Sequence, residues 1–298
     1  MCYNNYGGFM NYVFVVNPVA GNGKTLEIIR AIKEYCKFFE INYNILYTNT
    51  NTKGNYLIEK YVNRKNTTIF CVGGDGTLNL LVNLLAKKGA NLGIIPSGTG
   101  NDFYKTFKEF KGDKIDLGKV NDRYFINVAS IGLDAEIANY ANKLKKEAKN
   151  KNVYIKSLIH EYLNFKPIDL NINNKEQKST ILTVCNAKYY GGGFQISPQS
   201  KLNDGMFDII DVKSLKKLEI LYLISKLVQG THLNDKKVNS YKTDSITISS
   251  NSILNCNIDG EIIKDNKFEF SLDHNSLNVD VNNSNRITEF LKIKQILK

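Results

Sequence analysis

The sequence predicts an α/β unit followed by an antiparallel β unit. Three observations carry that expectation. Over roughly the first third of the chain, short β-rich runs alternate with segments of helical spacing, the rhythm of parallel strands covered by helices. Two apolar runs in that stretch end in turns rich in glycine, hydroxyl and acidic residues, Gly73-Gly74-Asp75-Gly76-Thr77 and Pro96-Ser97-Gly98-Thr99-Gly100-Asn101-Asp102. Beyond about residue 115, strand-like runs follow one another with few helices between them, the pattern of a sandwich or barrel. A chain of 298 residues has room for both units.

Taken in order, residues 11–16 are a short β-rich run, and residues 25–39 place Leu26, Ile29, Ile32, Tyr35 and Cys36 on one helical face. Residues 41–47 read as strand, 56–63 as helix, 69–72 as strand, 78–88 as a strongly apolar helix and 92–95 as strand. The strands expected after that are 115–117, 124–130, 168–172, 179–187, 207–212, 244–249, 254–258 and 277–281. Two helical inserts, 135–163 and 214–229, and a helical tail, 288–297, complete the pattern. In parallel sheets, ligands sit at the carboxyl ends of the strands, where both glycine-rich turns fall.

The composition narrows the function classes. A formal charge of +11 favours an anionic partner: a nucleotide, nucleic acid or an acidic membrane surface. The basic residues do not interleave with aromatics in a nucleic-acid module, so nucleic acid is not expected. The five cysteines are scattered, with no Cys-x-x-Cys pair, which argues against a disulfide framework or a zinc site and for a reducing cytoplasm. His160, His232 and His274 lie far apart without close ligand neighbours. The first 23 residues lack charge, but Asn and Tyr interrupt their apolar part, unlike a signal peptide. Met10, just before the first strand, is the alternative start to Met1. No apolar run reaches bilayer-spanning length, so membrane contact is expected to be peripheral.

Five clusters carry chemistry. The turn Asn17-Pro18-Val19-Ala20-Gly21-Asn22-Gly23-Lys24-Thr25 ends like a Walker A loop. A proline stands where that loop needs its opening glycine, so a different glycine turn is expected. At Gly73–Thr77, glycines let a polyphosphate approach bare backbone N–H groups, Asp75 can hold or orient a magnesium ion, and Thr77 can bond a phosphate oxygen. The alternative there is a plain strand-to-helix turn. The 96–102 turn repeats the chemistry at a neighbouring strand end and weakens that alternative. Ser197-Pro198-Gln199-Ser200-Lys201-Leu202-Asn203-Asp204-Gly205-Met206-Phe207-Asp208 holds either a tight turn at Asp204-Gly205 or a carboxylate and carbonyl set for a hard cation. Asn257-Ile258-Asp259-Gly260-Glu261 is either a hairpin turn or a carboxylate presented to take a proton from a hydroxyl.

In this order the clusters resemble the soluble bacterial diacylglycerol kinases and related lipid kinases, which share a catalytic region with sphingosine and ceramide kinases. The matching segments are Asn17-Pro18 to Gly21, Gly73-Gly74-Asp75-Gly76-Thr77-Leu78-Asn79, Pro96 to Phe103, Asn127 with Gly132-Leu133-Asp134-Ala135, Lys201 to Gly205, and Asp259-Gly260-Glu261. They span about residues 10–282. The resemblance implies an α/β nucleotide-binding domain with a parallel sheet over 10–121, rejoined by a C-terminal helix at 283–298. It implies an antiparallel β-sandwich over 122–282, with the nucleotide between the two. It implies ATP contacts at Asn17, Pro18, Val19, Ala20, Gly21, Thr50, Gly73, Gly74, Asp75, Gly76, Thr77, Leu78, Asn79, Leu80, Thr99, Asn101 and Asp102. Glu261 stands as general base, Asp259 as a residue that orders magnesium, and Asp204 with the backbone oxygens of Lys201 and Met206 as a second magnesium site. Leu80 departs from the family, which often has an acidic residue there.

The expected reaction is transfer of the ATP γ-phosphoryl group to a lipid hydroxyl, diacylglycerol giving phosphatidic acid. The acceptor would be met at an anionic membrane surface from the cytoplasmic side, by a monomer or a homodimer. Lys143, Lys145, Lys146, Lys149, Lys151 and Lys156, opposed by Glu147, form a candidate membrane contact, or a solvated helix face. The alternatives are an NAD kinase, which uses the same Gly-Gly-Asp-Gly-Thr turn, and a non-catalytic nucleotide- or lipid-binding regulator. The 98–102 turn and the late Asp259-Gly260-Glu261 speak against NAD kinase.

Overall fold

The computed structural model describes residues 11–18, 20, 25–48, 53–147, 153–294 and 296. The elements run β1 (Asn11–Val16), α1 (Thr25–Phe38), β2 (Asn42–Tyr47), α2 (Lys53–Glu59), β3 (Thr67–Gly73), α3 (Asp75–Leu85), β4 (Asn91–Pro96) and α4 (Asp102–Phe107). They continue β5 (Lys114–Val120), β6 (Arg123–Phe125), β7 (Val128–Gly132), α5 (Leu133–Glu147), α6 (Val153–Asn164), β8 (Ile168–Ile172) and β9 (Lys175–Cys185). The last are β10 (Phe207–Lys213), α7 (Lys217–Val228), β11 (Val238–Thr243), β12 (Ser245–Ile258), β13 (Glu261–Asn278) and α8 (Val281–Ile293). The chain divides into two compact units, Met1–Leu117 with His274–Lys298, and Gly118–Asp273. Both crossings fall inside strands, β5 and β13, and not in a linker.

The first unit is the expected α/β layer. Four parallel strands lie in the order β2-β1-β3-β4. Every residue of β3 is buried, as a central strand covered on both faces requires, whereas β2 at the edge is largely exposed. Phe14 of β1 stacks on Phe70 of β3 at 5.0 Å, and Ile28, Ile32 and Tyr35 of α1 pack there with Ile287 and Leu291 of α8. The tail thus completes the core of the first unit. The strand expected at 277–281 is corrected: β13 ends at Asn278, and Val281 already opens α8. The reason is a cap. The Asp280 carboxylate accepts the N–H of Asn283 at 3.1 Å and the hydroxyl of Thr68 at 2.8 Å, starting a helix well before the expected residue 288.

The second unit is antiparallel throughout its pairings, in the order β11-β10-β9-β7-β12-β13-β5-β6, with β8 joined to both β12 and β9. The long strands β9 and β12 each serve β7 with one half and β8 with the other, so they bend around a shared core that includes Phe125, Leu182, Phe207, Ile248 and Phe268. The strands expected at 244–249 and 254–258 are one strand, β12, with a register shift between Ser249 and Leu254. The strand expected at 124–130 is two, β6 and β7, broken at Ile126 and Asn127. The insert at 135–163 is likewise two helices, α5 and α6, and the helix expected at 56–63 is α2, three residues earlier. The sequence reading overlooked β11, half of whose residues are exposed, and most of β13, where only Phe268, Phe270 and Ser276 are buried before Leu277.

Among the described residues Cys36, Cys71, Cys185 and Cys256 are free and buried, and burial pushes each thiol upward. Among the described residues no helix is long and apolar enough to cross a membrane. Replacing Asp280 with Ala removes the α8 cap and the Thr68 bond together. Urea denaturation should show a loss of about 2 kcal/mol with an unchanged m-value; unchanged stability would refute the cap's importance.

Candidate active site

Three strand ends of the first unit converge. Asn17, just past β1, donates its backbone N–H to Val72 of β3 at 3.1 Å and its side-chain amide to Thr77 Oγ1 at 3.2 Å. Thr25 closes the same turn, donating its hydroxyl to the carbonyl of Ala20 at 2.7 Å. Ser97 N donates to the carbonyl of Gly73 at 3.0 Å, tying the turn after β4 to the turn after β3. The two backbones then touch. A Cβ on Gly98 would lie 2.4 Å from the Cα of Gly74, so no side chain fits there. Asn101, in the left-handed region at φ 50°, brackets this turn by accepting from Gly98 N at 3.0 Å and donating to Gly98 O at 2.7 Å.

Two carboxylates meet at these turns. Asp75 opens α3 and Asp102 opens α4. Asp75 Oδ2 accepts the Asp102 N–H at 3.4 Å, while Asp102 Oδ1 pairs with Lys105 at 2.8 Å. Burial, and then the charge of Asp102, hold the Asp75 carboxyl above its ordinary value despite that amide. Such a pair, short of compensating positive charge, suits a hard cation. Around it, Thr77 and Asn79 are buried, Leu78 joins the core, Leu80 is half-buried, and Gly76, Thr99 and Pro18 are exposed. Ser97 is buried, and its hydroxyl finds no partner among the described residues. Val19, Gly21 and Thr50 lie outside the described residues.

The second unit organises the 257–261 cluster. Asp259 and Gly260, at φ 49° and 96°, turn β12 into β13 as a tight hairpin in which Ile258 faces Glu261. The Asp259 carboxylate is also an anchor. Its Oδ2 accepts the N–H of Ile126 at 2.8 Å, and its Oδ1 accepts those of Asn127 at 3.0 Å and Val128 at 3.1 Å. Ile126 and Asn127, which lie between β6 and β7, give their amides to Asp259, and Val128 opens β7. Asn257 Oδ1 accepts from Gly260 N at 3.0 Å, and its amide donates to the Tyr190 hydroxyl. Glu261 projects from this braced turn and pairs with Arg123 of β6, both half-exposed.

Asp204 sits apart from that turn in the hydrogen-bond pattern. Its Oδ1 accepts from Met206 N at 3.3 Å, and its Oδ2 pairs with Lys242 at 2.7 Å, which also reaches Asp208 at 3.3 Å. Burial opposes the Lys242 charge, but Asp204 and Asp208 outweigh it and raise the ammonium pKa. A cation at Asp204 therefore competes with a resident lysine. Lys201 is exposed. Among the described residues no group of three or more His, Cys, Asp or Glu side chains is arranged to hold a metal. Sequence reasoning missed Arg123, Asn257 as a brace, Tyr190 and Lys242. Arg123 left a trace, being one of four arginines in a chain that otherwise uses lysine.

Asp75 has a testable consequence. The folded state holds its proton more tightly than the unfolded chain, so the charged form opposes folding at neutral pH and the penalty fades as pH falls. Asp75→Asn should therefore raise the melting temperature at pH 7, with the gain vanishing below about pH 4. A lowered melting temperature at pH 7 would overturn this account.

Comparison with known proteins finds relatives for both parts of the chain. Residues 11–123 match the diacylglycerol kinase catalytic domain, and residues 127–280 match the YegS C-terminal NAD kinase beta sandwich-like domain. The chain is 33% identical over 224 residues to the diacylglycerol kinases of Staphylococcus aureus strains JH9 and Newman, covering 68% of this chain and 70% of each relative. The crystal structure of a diacylglycerol kinase from Bacillus anthracis str. Sterne superposes with a TM-score of 0.65 at 20% identity, covering 91% of this chain and 96% of that one, which extends the likeness of fold. The chain belongs to the diacylglycerol kinase family of lipid kinases.

Proposed function

We propose that this protein transfers the γ-phosphoryl group of ATP to the free hydroxyl of diacylglycerol, giving phosphatidic acid. The observation that carries the reading is the touching pair of turns at Gly74 and Gly98, flanked by Asp75 and Asp102, in a chain of this family. The bare backbone of Gly73, Gly74 and Gly76, with Asn17, Thr77 and Thr99, would receive the phosphates of ATP. The buried hydroxyl of Ser97 adds a donor in search of an acceptor. Phosphoryl transfer rests mainly on positioning and on neutralising charge. A magnesium ion, when bound, supplies part of that neutralisation, and Asp75 and Asp102 are the carboxylates that would hold it. Asp204 would serve as a further cation site only by giving up Lys242.

Glu261 would accept the proton of the lipid hydroxyl at Oε1 or Oε2. Asp259 works through the backbone: by gripping three amides it fixes the turn that presents Glu261. Arg123 pairs with the Glu261 carboxylate and holds it in one orientation. Of the lysines expected to meet an anionic membrane surface, Lys143 and Lys156 are exposed, while Lys149 and Lys151 lie outside the described residues.

Incubation with radiolabelled ATP, magnesium and a total lipid extract should label phosphatidic acid. Label entering NADP in the presence of NAD, and no lipid, would favour the NAD kinase alternative instead. Glu261→Gln should lower lipid phosphorylation by about 100-fold or more, and Asp75→Ala should abolish it, with both variants folded by circular dichroism. Full activity in either removes the role assigned to it.

A further inference from the structure

Eight of the seventeen large apolar side chains exposed among the described residues lie on two helices, α6 and α7. On α7 the usual arrangement is reversed. Ile220 is its one buried residue, whereas Leu218 is 80% exposed and Leu221, Tyr222 and Val228 are exposed beside it. Leu221 and Tyr222 follow Leu218 by three and four residues and Val228 follows it by ten, so all four lie on one side of the helix. On α6, Leu158, Ile159 and Leu163 are exposed in the same way. The two helices adjoin: the Tyr162 hydroxyl donates to the carbonyl of Lys217 at 3.3 Å, and the Lys217 ammonium donates to the carbonyl of Leu163. Inside this junction Tyr162, Phe165, Leu215, Ile220 and Leu223 form one core cluster, so the outward face rests on a rigid base. Apolar side chains scattered singly over a surface need no explanation, but a cluster of this size on adjoining elements does.

We propose that the outer face of α6 and α7 enters the interfacial region of an anionic bilayer, seating the protein on the membrane that dissolves its acceptor. The charge around the face selects this occupant. Lys156, Lys166, Lys216 and Lys217 are exposed at its margin. The acidic residues of the two helices are engaged at their own sites, Glu219 with Lys216 N at 2.7 Å and with Lys237, and Glu161 with His160. An apolar face with a basic margin fits acyl chains beneath anionic headgroups. A second copy of this +11 chain would bring the same lysines against them. The role differs from the lysine run at 143–156, because entry here is by aliphatic side chains and the lysines only frame it. The inference rests on the lipid-kinase reading above.

The chain has no tryptophan, so Leu221→Trp installs a single fluorophore. With vesicles of phosphatidylcholine and phosphatidylglycerol, its emission should shift to the blue and be quenched by brominated acyl chains, while Leu57→Trp in the first unit should stay unaffected. Leu221→Glu combined with Val228→Glu should cut vesicle sedimentation at least about tenfold and leave phosphorylation of a water-soluble short-chain diacylglycerol unchanged. Leu218→Ser with Tyr222→Ser is the milder pair should the first fail to fold. Wild-type sedimentation by the glutamate variant, an unshifted Leu221→Trp spectrum on vesicles that bind the protein, or a solution dimer dispersed by the glutamates while vesicle binding persists would each overturn the proposal. A wild type that enters vesicles yet phosphorylates no diacylglycerol would leave this face standing and remove the acceptor reading instead.

Discussion

The approach of two bare backbones, Gly74 to Gly98, is the constraint around which the first unit is arranged. A parallel sheet delivers the ends of β3 and β4 side by side, and a side chain at either glycine would push them apart. Once the turns touch, the helices that follow begin close together, and each begins with a carboxylate. Asp75 and Asp102 are therefore forced into proximity, and Lys105 offsets only the second. Burial first, and the neighbouring Asp102 charge second, raise the proton affinity of Asp75. The cation role proposed for the pair would relieve both costs.

The second unit solves a different problem with one carboxylate. Asp259 must hold a turn at the tip of a hairpin, where an exposed loop would otherwise be free to move. It does so by taking three consecutive amides, those of Ile126 and Asn127 between β6 and β7 and that of Val128 at the start of β7. Strand pairing is given up at Ile126 and Asn127, and a fixed orientation of Glu261 is gained. Asn257 and Tyr190 brace the same turn from the opposite strand side, and Arg123 holds the glutamate itself. The proton-accepting role proposed for Glu261 would depend on rigid support of this kind, because its effectiveness falls off with small errors of placement.

Much of this was legible in the sequence, and the reasons for what was not are local. Strong periodicity exposed β1, β3, α1 and α3, because buried central elements must be apolar in a fixed rhythm. Largely polar β11 carries no such rhythm, and it is a strand because β10 offers it backbone partners. The break between β6 and β7 could not be read from residues 124–130, since its cause is Asp259, far along the chain. Arg123 and Lys242 are ordinary basic residues in a basic sequence until the fold lays them against Glu261 and Asp204.

By itself the sequence determined the alternation that makes a parallel sheet, the glycines that turns require, and the ordered acids that mark this family. These are local properties, set by φ preference, side-chain size and the period of hydrophobicity. Only the tertiary structure decided which acids share a charge problem, which one is spent on backbone amides, and which lysine already occupies a carboxylate. Those outcomes depend on distance and burial between residues remote in sequence, as with Asp259 and Ile126, 133 positions apart. The same is true of the outward apolar face of α7. Its periodicity reads as a buried helix, and only the position of the core, on the side of Ile220 and Leu223, leaves Leu218, Leu221 and Val228 facing out.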